Sequence, residues 1–236
     1  MRSCAIHQPN LLPRLSTLAK LYAADIWVVL DDVQFARHDY QHRARLAALD
    51  DPAQRQWLSV ETHLPDGRAT LIRDARLADP RRAARRLGQL PAQHYRASSH
   101  WPLLHAALEP VVRAVAEIAD TAAVAEATTH ALLNLIGWRG TIVRSSDLVA
   151  SSDRSARLAD LTTAVGATTY LCGTGGMRYL DRHPFTERQL TVHAFRPPAA
   201  DHGLWTGAAK ITALWALAAH GPSSVRVAFD GLRTAV

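Results

Sequence analysis

Residues 4–34 read CAIHQPNLLPRLSTLAKLYAADIWVVLDDVQ. Cys4-Ala5-Ile6 is a short apolar run that Pro9 breaks, and Pro13 restricts the backbone again four residues on, because proline fixes φ and offers no N–H. Leu15, Leu18, Ala19 and Tyr22 recur at intervals of three and four, the spacing of an amphipathic helix. Ile26-Trp27-Val28-Val29-Leu30 is a continuous apolar run, as a strand buried on both faces requires. Together they predict a β-α-β unit with parallel strands, whose carboxyl ends share one edge of a sheet. Open α/β sheets bind ligands at that edge. His7, Gln8 and Asn10 from the first strand end are therefore expected to meet Asp31, Asp32 and Gln34 from the second in one mouth.

A polar, basic stretch over residues 35–45 comes next, holding His38, Tyr40, Gln41, His42 and Arg43. Gln56-Trp57-Leu58-Ser59-Val60 predicts a strand, Leu64-Pro65-Asp66-Gly67 a turn, and Ala69-Thr70-Leu71-Ile72 the returning arm of a hairpin. Residues 79–136 predict helices. Asp79-Pro80 supplies an N-cap and a proline at the first helical position, Pro91 and Pro102 divide the region into two or three helices, and Gly137 stops the last. The α/β pattern then resumes. Thr141-Ile142-Val143 ends in Ser145-Ser146-Asp147. A helix capped by Ser152 or Asp153 stops at Gly166, and Thr169-Tyr170-Leu171-Cys172 runs into Gly173-Thr174-Gly175-Gly176. Leu190-Thr191-Val192 is a further strand, and a last helix over residues 210–220 stops at Gly221-Pro222. The expectation is a single α/β domain over residues 1–236: a mainly parallel sheet with flanking helices and a helical insert at about 79–136.

Of the 236 residues, 48% are hydrophobic, enough for a full core. No 18-residue stretch lacks polar and charged side chains, so no membrane span is expected. Met-Arg-Ser-Cys leads straight into a strand without the apolar segment of a signal peptide, and two cysteines make no disulfide framework; a cytoplasmic location is the expectation. The net charge is +6 and comes almost wholly from arginine, the only lysines being Lys20 and Lys210. Such a composition is equally compatible with a GC-rich genome and with an acidic partner, a phosphorylated ligand or an acidic carrier protein. Nucleic acid is not an expected partner, since the aromatics do not interleave with basic residues and no recognition-helix or zinc pattern occurs.

Histidine transfers protons near neutral pH, and amides orient a carbonyl or phosphate, so His7, Gln8 and Asn10 are candidate site residues as well as candidate turn fasteners. Successive strand residues point to opposite faces, so at most one of Asp31 and Asp32 is expected to face a ligand directly, as base, amine holder or cation ligand; a cap or a salt bridge to Arg43 or Arg45 is the alternative. Gly173 opens a turn able to present N–H groups to an anion, although the run is neither a Walker A loop nor a dinucleotide fingerprint. Cys172, on its shoulder, is either a nucleophile or a small apolar core residue. Arg81, Arg82, Arg85 and Arg86 form either a docking face or a solvated one.

Ala5-Ile6-His7-Gln8-Pro9-Asn10-Leu11-Leu12-Pro13 resembles the opening signature of the WbqC-like family, and Asp31-Asp32-Val33-Gln34-Phe35 with Gln41-x-Arg43 resembles its second. Trp57-Leu58-Ser59-Val60, Ser145-Ser146-Asp147-Leu148, and Tyr170 to Gly173 with Tyr179-Leu180 are similar to later blocks. Arg14, His42 and Cys172 depart from the pattern, as does the stretch Arg196-Pro197-Pro198-Ala199-Ala200. Family members occur in surface-polysaccharide and natural-product gene clusters, so the resemblance implies a biosynthetic transferase. The leading expectation is transfer of an acyl or aminoacyl group from a carrier-protein or coenzyme thioester to an amine or hydroxyl of a sugar or small precursor. His7 would act as base, and Asp31 or Asp32 would orient the acceptor or His7. Gln8, Asn10 and Gln34 would hold the carbonyl, Arg43 would bind a donor phosphate, and Gln41, Gly173 and Tyr179 would line the substrate site. A covalent variant uses Cys172. No metal and no cofactor beyond a phosphopantetheine-bearing donor are expected. The alternatives are a nucleotidyltransferase-like enzyme, since a histidine in a proline-containing turn after the first strand is similar to the HIGH-type nucleotidyltransferases, and a non-catalytic protein that binds a carrier or assembly partner.

Overall fold

The computed structural model describes residues 2–199 and 201–233. Strand β1 (Ser3–His7) leads through helix α1 (Leu15–Ala23) to β2 (Ile26–Val29). Next come the short strands β3 (Arg43–Ala47), β4 (Arg55–Ser59), β5 (Thr62–His63) and β6 (Arg76–Leu77), then helices α2 (Pro80–Tyr95), α3 (Trp101–Val115) and α4 (Thr121–Leu135). The sheet resumes with β7 (Thr141–Arg144), α5 (Arg154–Ala164), β8 (Thr169–Gly173), α6 (Thr174–Met177), α7 (His183–Glu187) and β9 (Thr191–Phe195), and the chain closes with α8 (Ala213–His220) and α9 (Pro222–Arg233).

The main sheet has five parallel strands in the order β7-β2-β1-β8-β9. The chain steps one way from β1 to β2 and the opposite way from β7 to β8. Right-handed crossovers in opposite directions must lay their helices on opposite faces. The burial alternates with period two to match: Ala5, Trp27, Val29 and Leu171 pack with α1 and the C-terminal helices, while Cys4, Ile6, Val28, Tyr170 and Cys172 pack with α5 and α7. The direction reverses between β1 and β8, and their ladder covers only Ser3↔Thr169 and Cys4↔Tyr170, whereas β1 stays paired with β2 as far as His7↔Val29. The sheet therefore opens at the carboxyl end between β1 and β8, where doubly wound folds hold ligands.

The turn after β1 is tied down from a distance. Leu12, at φ +44, gives its N–H to the Thr128 hydroxyl at 3.1 Å, and Thr129 donates to the Asn10 carbonyl at 2.7 Å. Both threonines belong to α4, so the insert grips the loop that carries Gln8. Asp79 caps α2 by accepting from the Arg82 N–H, with Pro80 at the first position.

Three sequence expectations are corrected. Pro91 does not divide the helical region but lies inside α2, and the first break follows Tyr95. The strand over residues 56–60 does not pair with residues 69–72. Its partner is β3, which begins in the polar, basic stretch over residues 35–45, and residues 69–72 fall at two 3₁₀ turns. Arg43 and Arg45 both lay their guanidiniums over the Trp57 ring at 4.4 Å, so the stack supplies the cross-strand contact that an apolar pattern usually signals. Gly221-Pro222 does not end the fold either: Gly221, at φ +83, closes α8, and Pro222 opens α9, a use of proline that costs no backbone hydrogen bond.

Candidate functional site

A cavity of about 590 Å³ opens at the split between β1 and β8. His7 and Gln8 from the end of β1, Lys20 from α1, and Gly173 with the first turn of α6 line its floor and walls, and Arg14 and Arg154 contribute two more cations. Its size suits a small-molecule ligand, and its position is the one the topology predicts.

His7 Nδ1 lies 2.7 Å from the Gln8 carbonyl oxygen. A carbonyl only accepts, so Nδ1 carries the hydrogen and Nε2 keeps its lone pair. Burial first, then the Lys20 ammonium, push the imidazole well below its ordinary pKa, against the opposing effect of the Gln8 carbonyl. His7 is thus neutral at physiological pH. Gln8 is fixed in turn: Gln41, fully buried, donates from Nε2 to Gln8 Oε1 at 2.7 Å and leaves the Gln8 amide N–H groups for a ligand.

Of the other sequence candidates, Gly173 lines the cavity, and Tyr179 stands exposed beside it with the Arg154 guanidinium 5.5 Å from its ring centroid. The twin acids do not line it. Asp31 is 4% exposed and accepts from the Ser146 N–H at 3.0 Å and the Ser146 hydroxyl at 2.8 Å, with Ser145 Oγ at 3.1 Å. It caps the 3₁₀ turn Ser145–Asp147 after β7. Asp32 is bound by the Arg157 guanidinium and by Ser145 Oγ; burial pushes its carboxyl up, but these two partners outweigh that and hold it below the ordinary range. The acids therefore fasten β2 to β7 and α5.

Asn10, Gln34 and Arg43 also stand away from the cavity. Asn10 is buried with its carbonyl on Thr129; Gln34 donates to the Arg68 carbonyl at 2.5 Å; and Arg43, stacked on Trp57, donates to the carbonyls of Asp39 and His38. Cys172 is fully buried on the α5 side of the sheet, and burial pushes its thiol up despite the hydrogen bond with Tyr170 and the nearby Lys20, so the reactive thiolate is disfavoured. On α2, Arg82 pairs with Glu61 at 3.4 Å and Arg86 Nε donates to the Ser59 carbonyl. No group of three or more His, Cys, Asp or Glu able to hold a metal ion occurs among the described residues. No described helix is long and apolar enough to cross a membrane.

Lys20, Arg14, Arg154 and Asp39 are among the cavity residues that sequence reasoning missed. Lys20 carries a signal in hindsight. It is the only charged residue in α1, eight of whose nine residues are buried, and one of two lysines in a chain that otherwise uses arginine.

A family model described as WbqC-like protein family matches residues 8–202. The chain is 23% identical over 195 residues to the uncharacterized protein Rv1507c of Mycobacterium tuberculosis, an alignment covering 83% of this chain and 82% of that one. No solved structure matches the chain.

Proposed function

We propose, from the premise that this chain belongs to the WbqC-like protein family, that it is a transferase. It moves an acyl or aminoacyl group directly from a carrier-protein or coenzyme thioester to an amine or hydroxyl of a sugar or natural-product precursor. The observation that carries the reading is the state of His7: neutral, with Nδ1–H given to the Gln8 carbonyl and a lone pair on Nε2. Such an imidazole takes a proton from an attacking amine. The Gln8 amide, held by Gln41, is placed to hold the carbonyl being attacked. Arg14 and Arg154 supply the charge that the phosphates of a pantetheine-bearing donor require. In the step itself the acceptor nitrogen or oxygen forms a bond to the thioester carbon. Its proton passes to His7 Nε2, the C–S bond breaks, and the thiolate leaves and takes up a proton. Cys172 has no part in this route, so Cys172→Ala retains wild-type turnover; loss of turnover in that variant with an unchanged melting curve would instead favour the covalent route.

A second reading, nucleotidyl transfer, draws support from the strand order and the cationic cavity, with His7 at the end of the first strand. His7 as found has no hydrogen to give a phosphate oxygen, which ranks this reading second. Thermal melts with coenzyme A and with the common nucleoside triphosphates separate the two. The transferase reading expects coenzyme A to raise the melting temperature and an acyl-coenzyme A to be consumed with an amino sugar, monitored by mass spectrometry. Stabilisation by triphosphates alone favours the second reading.

A further inference from the structure

Lys20 reaches from α1 to the point where β1 and β8 part, its ammonium 3.5 Å from the Ile6 carbonyl. Gly173 lies beside that nitrogen, a Cβ there standing 3.9 Å from it at ordinary contact distance, and both residues line the cavity. The residue is 7% exposed, and no carboxylate pairs with it among the described residues; Arg14, another cation, is close enough to disfavour its charge. A buried cation without a counter-ion costs free energy that the folded chain does not itself offset. Arg14 is half-buried and Arg154 exposed, so both stand at the rim, whereas Lys20 stands at the floor beside His7. A compact ammonium suits a single oxygen there better than a planar guanidinium would.

We propose that Lys20 is a catalytic residue that donates a hydrogen bond to the oxygen of the transferred carbonyl as negative charge develops on it. The role rests on the transfer reaction proposed above. As the acceptor attacks, the carbonyl π pair moves onto oxygen, and Lys20 with the Gln8 amide holds that oxyanion. His7 takes the acceptor's proton, and collapse re-forms the C=O bond and expels the thiolate. No covalent bond to Lys20 forms.

Lys20→Met tests this, because it keeps the length of the side chain and deletes the charge. Turnover of acyl-coenzyme A falls about 10²–10³-fold with KM changed little, the size expected for losing one oxyanion donor. Lys20→Arg does not restore it. Burial lowers the Lys20 pKa from near 10.5 to about 8, so the wild-type rate declines above about pH 8 and that decline is absent from Lys20→Met. The variant also melts higher than wild type at pH 7. That gain shrinks between about pH 8 and 10.5, where folded Lys20 has lost its proton and the unfolded chain still holds it. A rise in KM with kcat retained, unchanged kinetics, or a lower melting temperature overturns the role of Lys20 and leaves the transfer reading standing. A wild-type protein inert towards every thioester overturns both.

Discussion

His7→Gln lowers turnover by about 10²–10⁴-fold, the contribution of a positioned general base, and leaves the melting temperature close to wild type. Glutamine preserves a polar side chain of similar reach, and the hydrogen bond that His7 makes is to its neighbour's carbonyl, so little of the fold depends on the ring. What disappears is the Nε2 lone pair that the proposed transfer uses as its base. The pH profile gives an independent check with a definite sign. Because burial and Lys20 push the imidazole well below its ordinary pKa, the base stays unprotonated further into acid than an ordinary histidine does. The acid limb of kcat/KM therefore falls below the ordinary histidine value near 6.5. A limb at or above 6.5, or a His7→Gln protein of unchanged kcat, removes His7 from the chemistry.

Asp31→Ala acts on the fold instead. The Ser146 N–H, the Ser146 hydroxyl and Ser145 Oγ all converge on this 4%-exposed carboxylate. Ser145 Oγ keeps Asp32 as its acceptor, but truncation strands both Ser146 donors in a part-buried turn, at a cost of about 1–3 kcal/mol, or roughly 2–12 °C in melting temperature for a chain of this size. Turnover per folded molecule stays near the wild-type value, because the β2 terminus remains laddered to β1 as far as His7↔Val29. Differential scanning calorimetry with active-site titration measures both quantities. A variant that melts normally but does not turn over would return Asp31 to the reaction.

Much of the architecture was legible because its determinants are local. The apolar runs at residues 4–6, 26–30 and 169–172 each became a strand of the main sheet, and Asp79-Pro80 opened a helix as its chemistry requires. The sites of error share another cause. The hairpin was misassigned because the partner strand, Arg43–Ala47, is held by arginines stacked on Trp57, a contact that alternation of apolar residues does not encode. The position of His7 and Gln8 at the carboxyl end of β1 came directly from the β-α-β unit. The exclusion of Asp31 and Asp32 did not, because it depends on Ser145, Ser146 and Arg157, more than a hundred residues further along the chain. Lys20 was overlooked because a lysine in an amphipathic helix is ordinarily solvated; only the three-dimensional packing of α1 shows that this one is enclosed.

The two threonine hydroxyls on α4 that hold Leu12 and Asn10 have a consequence for engineering. They make the insert a jig for the turn after β1, so neither piece is modular. A chimera that imports the insert from a relative whose α4 is shifted by one residue would rotate both hydroxyls about 100° around the helix axis, away from their targets. Successful grafts must carry residues 8–13 and α4 as a matched pair.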